Sequence, residues 1–415
     1  MKIIPQHHEV VVIGAGIAGA TITNELLLKG QKVCIVDAES GPAKACSSHA
    51  FAIAHPHIGR GSPRLLRLTR IAFLLAAERW GGQWQQHGLF QAAKTGEIFD
   101  LQKLAEHLCG LGLDQAIARA VSADEALALC GVKRNGTWFS QGATLNLAST
   151  IEGLLQPHEN LTCIWDLQIS GLKKEGNLWM LIGRDKEVLL SARKVVVAAS
   201  LETKLLLSSI GIRLPLRPVR GQLSIFKIDA KNKWISYLPK AGICGDGYCL
   251  PAERGFFSDG SARWIVGSSF DEGEDDLGAR NSSDDFNRDL AKNLIACESG
   301  DTSALEASGR FVGIRCVAGD RLPIIGKLNQ HPNIFLATAL GSRGVLWSAL
   351  AAKIIRAQVL DEGFALLERL GFATDLLAAL APARFFAGAA LVPAAPLAAL
   401  ASNSKPIFPP DPKAR

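Results

Sequence analysis

Val10-Val11-Val12-Ile13-Gly14-Ala15-Gly16-Ile17-Ala18-Gly19 is an apolar run entering a G-x-G-x-x-G turn, and its reading decides the fold. Residues 20–29 then carry a helical pattern that Gly30 closes, and a second short apolar run, residues 32–36, ends on Asp37. Strand, turn, helix, strand and acid in this register are the parts of a dinucleotide site. Gly14 permits the tight turn, Gly16 lets the backbone approach a pyrophosphate, and Gly19 lets helix and strand pack closely. Ile17 and Ala18 lie in the turn before a helix whose free N–H groups and partial positive charge suit phosphates. Asp37 stands where a carboxylate accepts hydrogen bonds from a ribose.

The 415 residues are enough for two domains and a large core. With 48% hydrophobic and 20% charged residues, the composition excludes global disorder. A net charge of +6 is compatible with an acidic partner without demanding one. Nine cysteines without C-x-x-C pairs argue against both a disulfide framework and a zinc knuckle. No apolar leader core precedes the first strand, so a cytoplasmic location is expected. Residues 385–401 are apolar but Ala-rich, broken by Pro393 and Pro396, and shorter than the ~20 residues of a membrane span. Residues 386–415 are expected to form an Ala- and Pro-rich flexible tail.

Beyond the glycine turn, the pattern predicts a helix over residues 63–84 and a strand over 88–93. Residues 161–167 read as another strand, and 194–199 as a buried parallel one. Residues 215–309 are β-rich, with candidate strands at 222–228, 247–251 and 264–268. The last structured part is a strand, then Gly341-Ser342-Arg343-Gly344, then an apolar helix. A helix N-terminus at that strand end suits a group that becomes negatively charged on reduction. The pattern implies a discontinuous cofactor domain (residues 1–87, 140–215 and 310–385). A second, mainly antiparallel domain (88–139 and 216–309) is inserted in it.

These pieces resemble the D-amino-acid oxidase and glycine oxidase superfamily of FAD enzymes. Within it, the chain is similar to the C-terminal oxidoreductase half of the MnmC family, which builds 5-methylaminomethyl-2-thiouridine at a tRNA wobble position. The likeness rests on Gly136-Thr137-Trp138-Phe139, Pro218-Val219-Arg220-Gly221-Gln222, Gly245-Asp246-Gly247-Tyr248 and Gly267-Ser268-Ser269-Phe270. It continues through Gly313-Ile314-Arg315-Cys316, Asp320-Arg321-Leu322-Pro323 and Gly341-Ser342-Arg343-Gly344, and covers residues 9–386. One stretch departs: Ser48, His49 and Ala52 stand where the family carries glycine, asparagine and glycine. The methyltransferase half of that family has no counterpart here.

The resemblance implies an α/β, Rossmann-like FAD-binding domain with an inserted α+β substrate domain. It places Ser47, Ser48, His49, Leu167, Ala198, Gly341, Ser342, Arg343 and Gly344 along the FAD, with the glycine-turn residues and Asp37. The implied reaction removes the carboxymethyl group of 5-carboxymethylaminomethyl(-2-thio)uridine in the tRNA anticodon loop. Hydride passes from the carbon between amine and carboxylate to FAD, and the imine hydrolyses to glyoxylate and a 5-aminomethyl base. A separate methyltransferase would act on that product. Arg315 matches the arginine that grips a substrate carboxylate, a task suited to a planar guanidinium. Tyr248 is expected on the active-site wall, and Arg220 with Gln222 at the mouth between domains. Cys316 reads as a buried thiol. His49, His55 and His57 cluster, but without nearby carboxylates or cysteines to complete a metal site, so no metal is expected.

Arg60, Arg64, Arg67 and Arg70 recur on one helix face and could follow phosphates. A solvated basic face has the same pattern. Two further readings stay open: a small-molecule glycine, sarcosine or D-amino-acid oxidase or dehydrogenase, and a flavoprotein scaffold that has lost its chemistry.

Overall fold

A computed structural model describes residues 6–59, 62–85, 88–93, 100–295 and 305–386. The stretch that opens the argument folds as read. Strand Gln6–Ile13 runs into helix Ile17–Leu27, followed by strand Val33–Val36. Five strands lie parallel in the order His331–Thr338, Val188–Val197, Gln6–Ile13, Val33–Val36 and Leu161–Ile164. The central residues of the first four are buried on both faces, which is why the sequence shows continuous rather than alternating apolar runs, whereas the edge strand Leu161–Ile164 is half-buried with Cys163 exposed. Val10 and Val12 join the core beneath helices Ile17–Leu27, Pro63–Trp80 and Gly344–Val359, while Val11 and Ile13 join the core on the opposite face. Antiparallel strand Ile324–Leu328 and the hairpin Gly171–Glu175/Leu178–Ile182 complete this sheet.

The three helices over the sheet are tied by one buried carboxylate. Glu25 accepts from Arg79 at 2.6 Å, Lys353 at 2.8 Å and Arg356 at 2.9 Å, and is 3% exposed. Helix Pro63–Trp80 stops four residues short of expectation. Its start is set by Pro63 at the first position and by Ser62 Oγ, which accepts from Leu65 N at 3.3 Å. The strand expected over 161–167 ends at Ile164, and Asp166 takes a φ of 54°.

The second sheet is mainly antiparallel. Its longest strand, Leu216–Ile228, pairs with Ala262–Gly267 on one side and Glu306–Ala318 on the other. Tyr248–Cys249, Gly242–Cys244, Leu89–Ala92, Gly136–Phe139 and Ala118–Val121 extend it, and helix Asn281–Ile295 packs on it. The expected return to the cofactor unit at residue 310 is corrected here. The strand carrying Arg315 is hydrogen-bonded to Leu216–Ile228, so the second sheet extends to Ala318, and the chain rejoins the first sheet at Ile324. Among the described residues, no helix is long and apolar enough to cross a membrane. The expected tail falls almost wholly on residues 387–415, outside the described residues.

Candidate active site

A cavity of about 2550 Å³ opens between the two sheets. Ordinary ligand pockets hold about 300–1,000 Å³, so this one has room for a dinucleotide and a second molecule. One end is the glycine turn. Gly14 has a φ of 104°, and a Cβ there would lie 2.9 Å from the Ala198 carbonyl carbon. A Cβ on Gly19 would lie 3.0 Å from the Gly14 carbonyl carbon. Gly16 differs, because a Cβ there would meet only Ser47, at 3.2 Å from Oγ. Gly14 and Gly19 therefore make the turn possible, while Gly16 keeps the cavity wall low. Gly16, Ile17 and Ala18 line the cavity at the helix start.

Asp37 accepts at Oδ2 from Ala15 N at 2.6 Å, which holds the carboxylate at the strand end beside the turn. Ser47 Oγ accepts from Ile17 N at 3.2 Å. Leu167 N donates to Asp37 O and Ala198 N to Ile13 O, so both expected wall residues are fixed by the backbone. Ser48 and His49 line the same cavity, as do Gly341, Ser342, Arg343 and Gly344, where helix Gly344–Val359 begins without a side-chain cap. A dinucleotide fits this donor set: the helix N-termini at Ile17 and Gly344, of which Ile17 N is taken by Ser47, a carboxylate at the end of the second strand, and a glycine position on the cavity wall that a side chain would fill.

The other end of the cavity is built on the second sheet. Gly221 and Gly313 stand directly opposite each other in the Leu216–Ile228/Glu306–Ala318 pair, and both line the cavity. Arg315, two residues beyond Gly313, shares that face. A Cβ on Gly221 would lie 2.6 Å from Arg315 Cζ, so the glycine gives the guanidinium its berth. Arg315 Nη2 donates to Ser268 Oγ, and its Cζ lies 5.6 Å from the Phe270 ring centroid. Among the described residues no carboxylate pairs with it, and its Nη1 is buried without a hydrogen-bond partner. Arg315 is half-buried, and a buried guanidinium donor without a partner is costly unless an acceptor completes it.

Tyr248 lies on the same wall, donating from its hydroxyl to Phe51 O at 2.7 Å, and burial pushes its pKa up. It is thus a neutral donor held in place. Cys46, which sequence reasoning left out of the site, lines the cavity, and burial raises its thiol pKa. Cys316 is 4% exposed, with Sγ 3.6 Å from Thr338 Oγ1.

Arg220 is corrected. It is 0% exposed and does not line the cavity mouth. Side chains alternate along a strand, so with Gly221 facing the cavity, Arg220 and Gln222 point to the far side. There Arg220 donates to Asp271 Oδ2 at 2.9 Å, Asp276 O at 3.0 Å, Ser283 Oγ at 3.3 Å, and to Gln222 and Gly278. Its role is to hold the 271–283 segment. Removing one partner of a buried ion pair costs about 3–5 kcal/mol. Arg220→Ala is therefore expected to lower the unfolding free energy by about that much, read as a fall in Tm, and an unchanged Tm would contradict this role.

The histidine cluster is dispersed among separate partners. His49 packs on Phe311 (centroids 4.9 Å apart), His55 on Phe139 (5.1 Å), and His57 Nδ1 lies 3.4 Å from Arg343 Nη2. Among the described residues, no group of three or more His, Cys, Asp or Glu side chains is placed to hold a metal ion. Burial lowers the pKa of His49 to about 4, with Arg315 adding to the effect, and burial lowers that of His55 to about 4. Unfolded, both take up protons as pH falls through 6.5; folded, they stay neutral until about 4. Their contribution to stability is complete above pH 6.5 and is lost as pH falls from there toward 4. Thermal melts across this window should show a falling Tm, with a shallower fall in His49→Gln; parallel curves would reject the assignment.

The basic stripe has structural occupations. Arg64 and Arg67 both face Asp375, at 3.9 and 3.4 Å, and Arg70 donates to Gly112 O and Leu370 O. Arg60 lies outside the described residues.

A family model described as FAD dependent oxidoreductase matches residues 9–358. The tRNA 5-methylaminomethyl-2-thiouridine biosynthesis bifunctional protein MnmC of Ralstonia nicotianae is 30% identical over 416 residues, covering 92% of this chain and 60% of that protein. Its namesake in Cupriavidus necator is 29% identical over 411 residues, covering 90% and 60%. The chain thus spans about 60% of the length of these relatives. Glycine oxidase from Geobacillus kaustophilus superposes with a TM-score of 0.68 at 18% identity, covering 86% of this chain and 96% of that one. L-Proline dehydrogenase from P. horikoshii gives 0.69 at 15% identity, covering 93% and 99%. Both share the fold. With the glycine turn, Asp37 and the second helix N-terminus around one cavity, the chain belongs to the FAD-dependent oxidoreductase (DAO) family.

Proposed function

We propose that this chain oxidises the carboxymethylamino group of 5-carboxymethylaminomethyl(-2-thio)uridine at the tRNA wobble position, releasing glyoxylate and leaving a 5-aminomethyl base. The observation that carries the reading is Arg315, whose buried Nη1 lacks a partner in the cavity that also holds the glycine turn. The substrate class in this reading is supported by relatives whose name specifies tRNA 5-methylaminomethyl-2-thiouridine biosynthesis. A cytoplasmic site of action and a separate methyltransferase that takes the product belong to the same reading.

The glycine turn, Asp37 and residues 341–344 would hold FAD, which would supply the hydride acceptor. The chain's own residues supply position. Arg315 grips the carboxylate, which fixes the neighbouring C–H bond, and Ser268 and Gly221 fix Arg315. Tyr248 stays protonated and adds a hydroxyl to the wall rather than a charge. Gly221→Ala should push the guanidinium from its berth. KM for the carboxylated substrate is expected to rise about ten-fold, equivalent to ~1.4 kcal/mol, with FAD retained. An unchanged KM would show that Arg315 does not need that space.

The second reading, a small-molecule amine oxidase or dehydrogenase, is favoured by one observation: Arg67 and Arg70 are hydrogen-bonded within the protein, so the stripe is partly taken up by the fold itself. Anaerobic flavin bleaching separates the two. Bleaching by tRNA bearing the carboxymethylaminomethyl base, with glyoxylate released, supports the first. Bleaching by glycine or sarcosine alone supports the second.

A further inference from the structure

Ten large hydrophobic side chains are exposed among the described residues, and three of them, Phe270, Leu277 and Phe286, line the cavity. The other seven do not. Phe270 is 49% exposed, Leu277 65% and Phe286 49%. All three fall within one stretch of seventeen residues, in the segment that follows Ala262–Gly267 and in helix Asn281–Ile295. Scattered exposed hydrophobics need no explanation, but a set confined to the wall of a substrate cavity does.

The segment is also held more firmly than an ordinary loop. Arg220, fully buried, bonds Asp271, Asp276, Gly278 and Ser283, residues flanking Phe270 and Leu277 in sequence. Gln222 adds bonds to Arg280 O and Asp284 Oδ1, each at 2.9 Å. The anchoring lies on the face of the sheet away from Arg315, and Phe270, Leu277 and Phe286 line the cavity wall. Phe270 is beside Arg315, so a molecule whose carboxylate sits on the guanidinium places its next few atoms within reach of the ring.

We infer that Phe270, with Leu277 and Phe286, forms a stacking rim for a flat ring attached to the carboxymethylamine held by Arg315. The substrate class is a secondary amine bearing a carboxymethyl group on one side and a nucleobase-like ring on the other. A small amino acid has no ring for this rim to cover. Stacking of a base on an aromatic side chain contributes about 1–3 kcal/mol, or roughly 5–150-fold, and tolerates any base. The inference rests on the proposed function for the carboxylate's place, and adds what lies beyond it.

The test measures binding rather than turnover. The probe is 5-carboxymethoxymethyluridine, an ether analogue with oxygen in place of the amine nitrogen; methoxyacetate is its ringless counterpart. Both are titrated calorimetrically into the FAD-loaded protein. The wild type is expected to bind the ring-bearing ether at least ten-fold tighter, and Phe270→Ala to remove most of that difference while methoxyacetate affinity stays within two-fold. Phe286→Ala should remove a smaller part. Equal affinities for the two ethers in the wild type, or an unchanged ring preference in Phe270→Ala, would overturn the rim. A matching loss for both ethers in Phe270→Ala would also overturn it, by showing that the ring only supports Arg315. Ring preference in a protein that oxidises no carboxymethylaminomethyl base would leave the rim standing and sink the proposed function. Oxidation of that base without ring preference would do the reverse.

Discussion

Arg315→Ala is expected to raise KM for a carboxymethylamine substrate by at least 30-fold while FAD stays bound at wild-type stoichiometry. The magnitude follows from the site. Arg315 has no competing carboxylate among the described residues, Ser268 occupies Nη2, and Nη1 is free and buried. Truncating one partner of a buried, hydrogen-bonded charge pair costs about 2–5 kcal/mol, or roughly 30- to 4000-fold in binding. Cofactor retention separates this from collapse of the site, since the glycine turn lies on the other sheet. Arg315→Lys should recover only part of the loss, because an ammonium keeps the charge but not the two-pronged geometry. Steady-state kinetics of both variants, with the flavin absorbance ratio as the loading control, check the claim. Wild-type kinetics for Arg315→Ala would remove Arg315 from the carboxylate's side of the site.

The cofactor half of the molecule was legible because its signals are local. Gly14, Gly16, Gly19 and Asp37 lie within twenty-four residues, and each glycine has a local reason: a positive φ at Gly14, a low cavity wall at Gly16 and close backbone approach at Gly19. The substrate half is made by pairing across long sequence separations, and there local reading went astray. Arg220 was expected at the cavity mouth, with Gln222, from the resemblance carried by Pro218-Val219-Arg220-Gly221-Gln222. One residue along a strand reverses the face, so the neighbour that matters to Arg315 is the glycine. That was recoverable in principle: an Arg-Gly-Gln run in a strand must put its two long polar side chains on one face and leave the other bare. The assignment of Glu306–Ala318 to the second sheet was not recoverable from periodicity, because pairing partner is a tertiary choice. Ser268 stood in a motif of the resemblance without an assigned role, and Cys46 carried no signal of its own; only the fold brings them to the Arg315 wall. The arginine stripe shows the converse, a regular surface pattern that proves to fasten one helix to the 370–375 segment.

Gly16→Val should yield a folded protein that has lost its flavin, and the three turn glycines should respond differently. At Gly14 a side chain would demand a φ of 104° and press on the Ala198 carbonyl; at Gly19 it would press on the carbonyl of Gly14. Both contacts are with backbone, which cannot swing aside, so Gly14→Val and Gly19→Val should lose the turn and much of the stability with it. At Gly16 the φ is −76°, open to any residue, and the nearest obstacle is the small Ser47 side chain at 3.2 Å. The fold can therefore accept a side chain there, but the space it enters is the approach to the helix N-terminus where a pyrophosphate is held. The expected signature for Gly16→Val is a native far-UV circular dichroism spectrum, a colourless purified protein, and at least a hundred-fold weaker FAD binding on reconstitution. Gly16→Ala should fall between it and the wild type. A yellow Gly16→Val protein with wild-type FAD affinity would mean that the pyrophosphate does not approach this turn, whatever the pattern of glycines suggests.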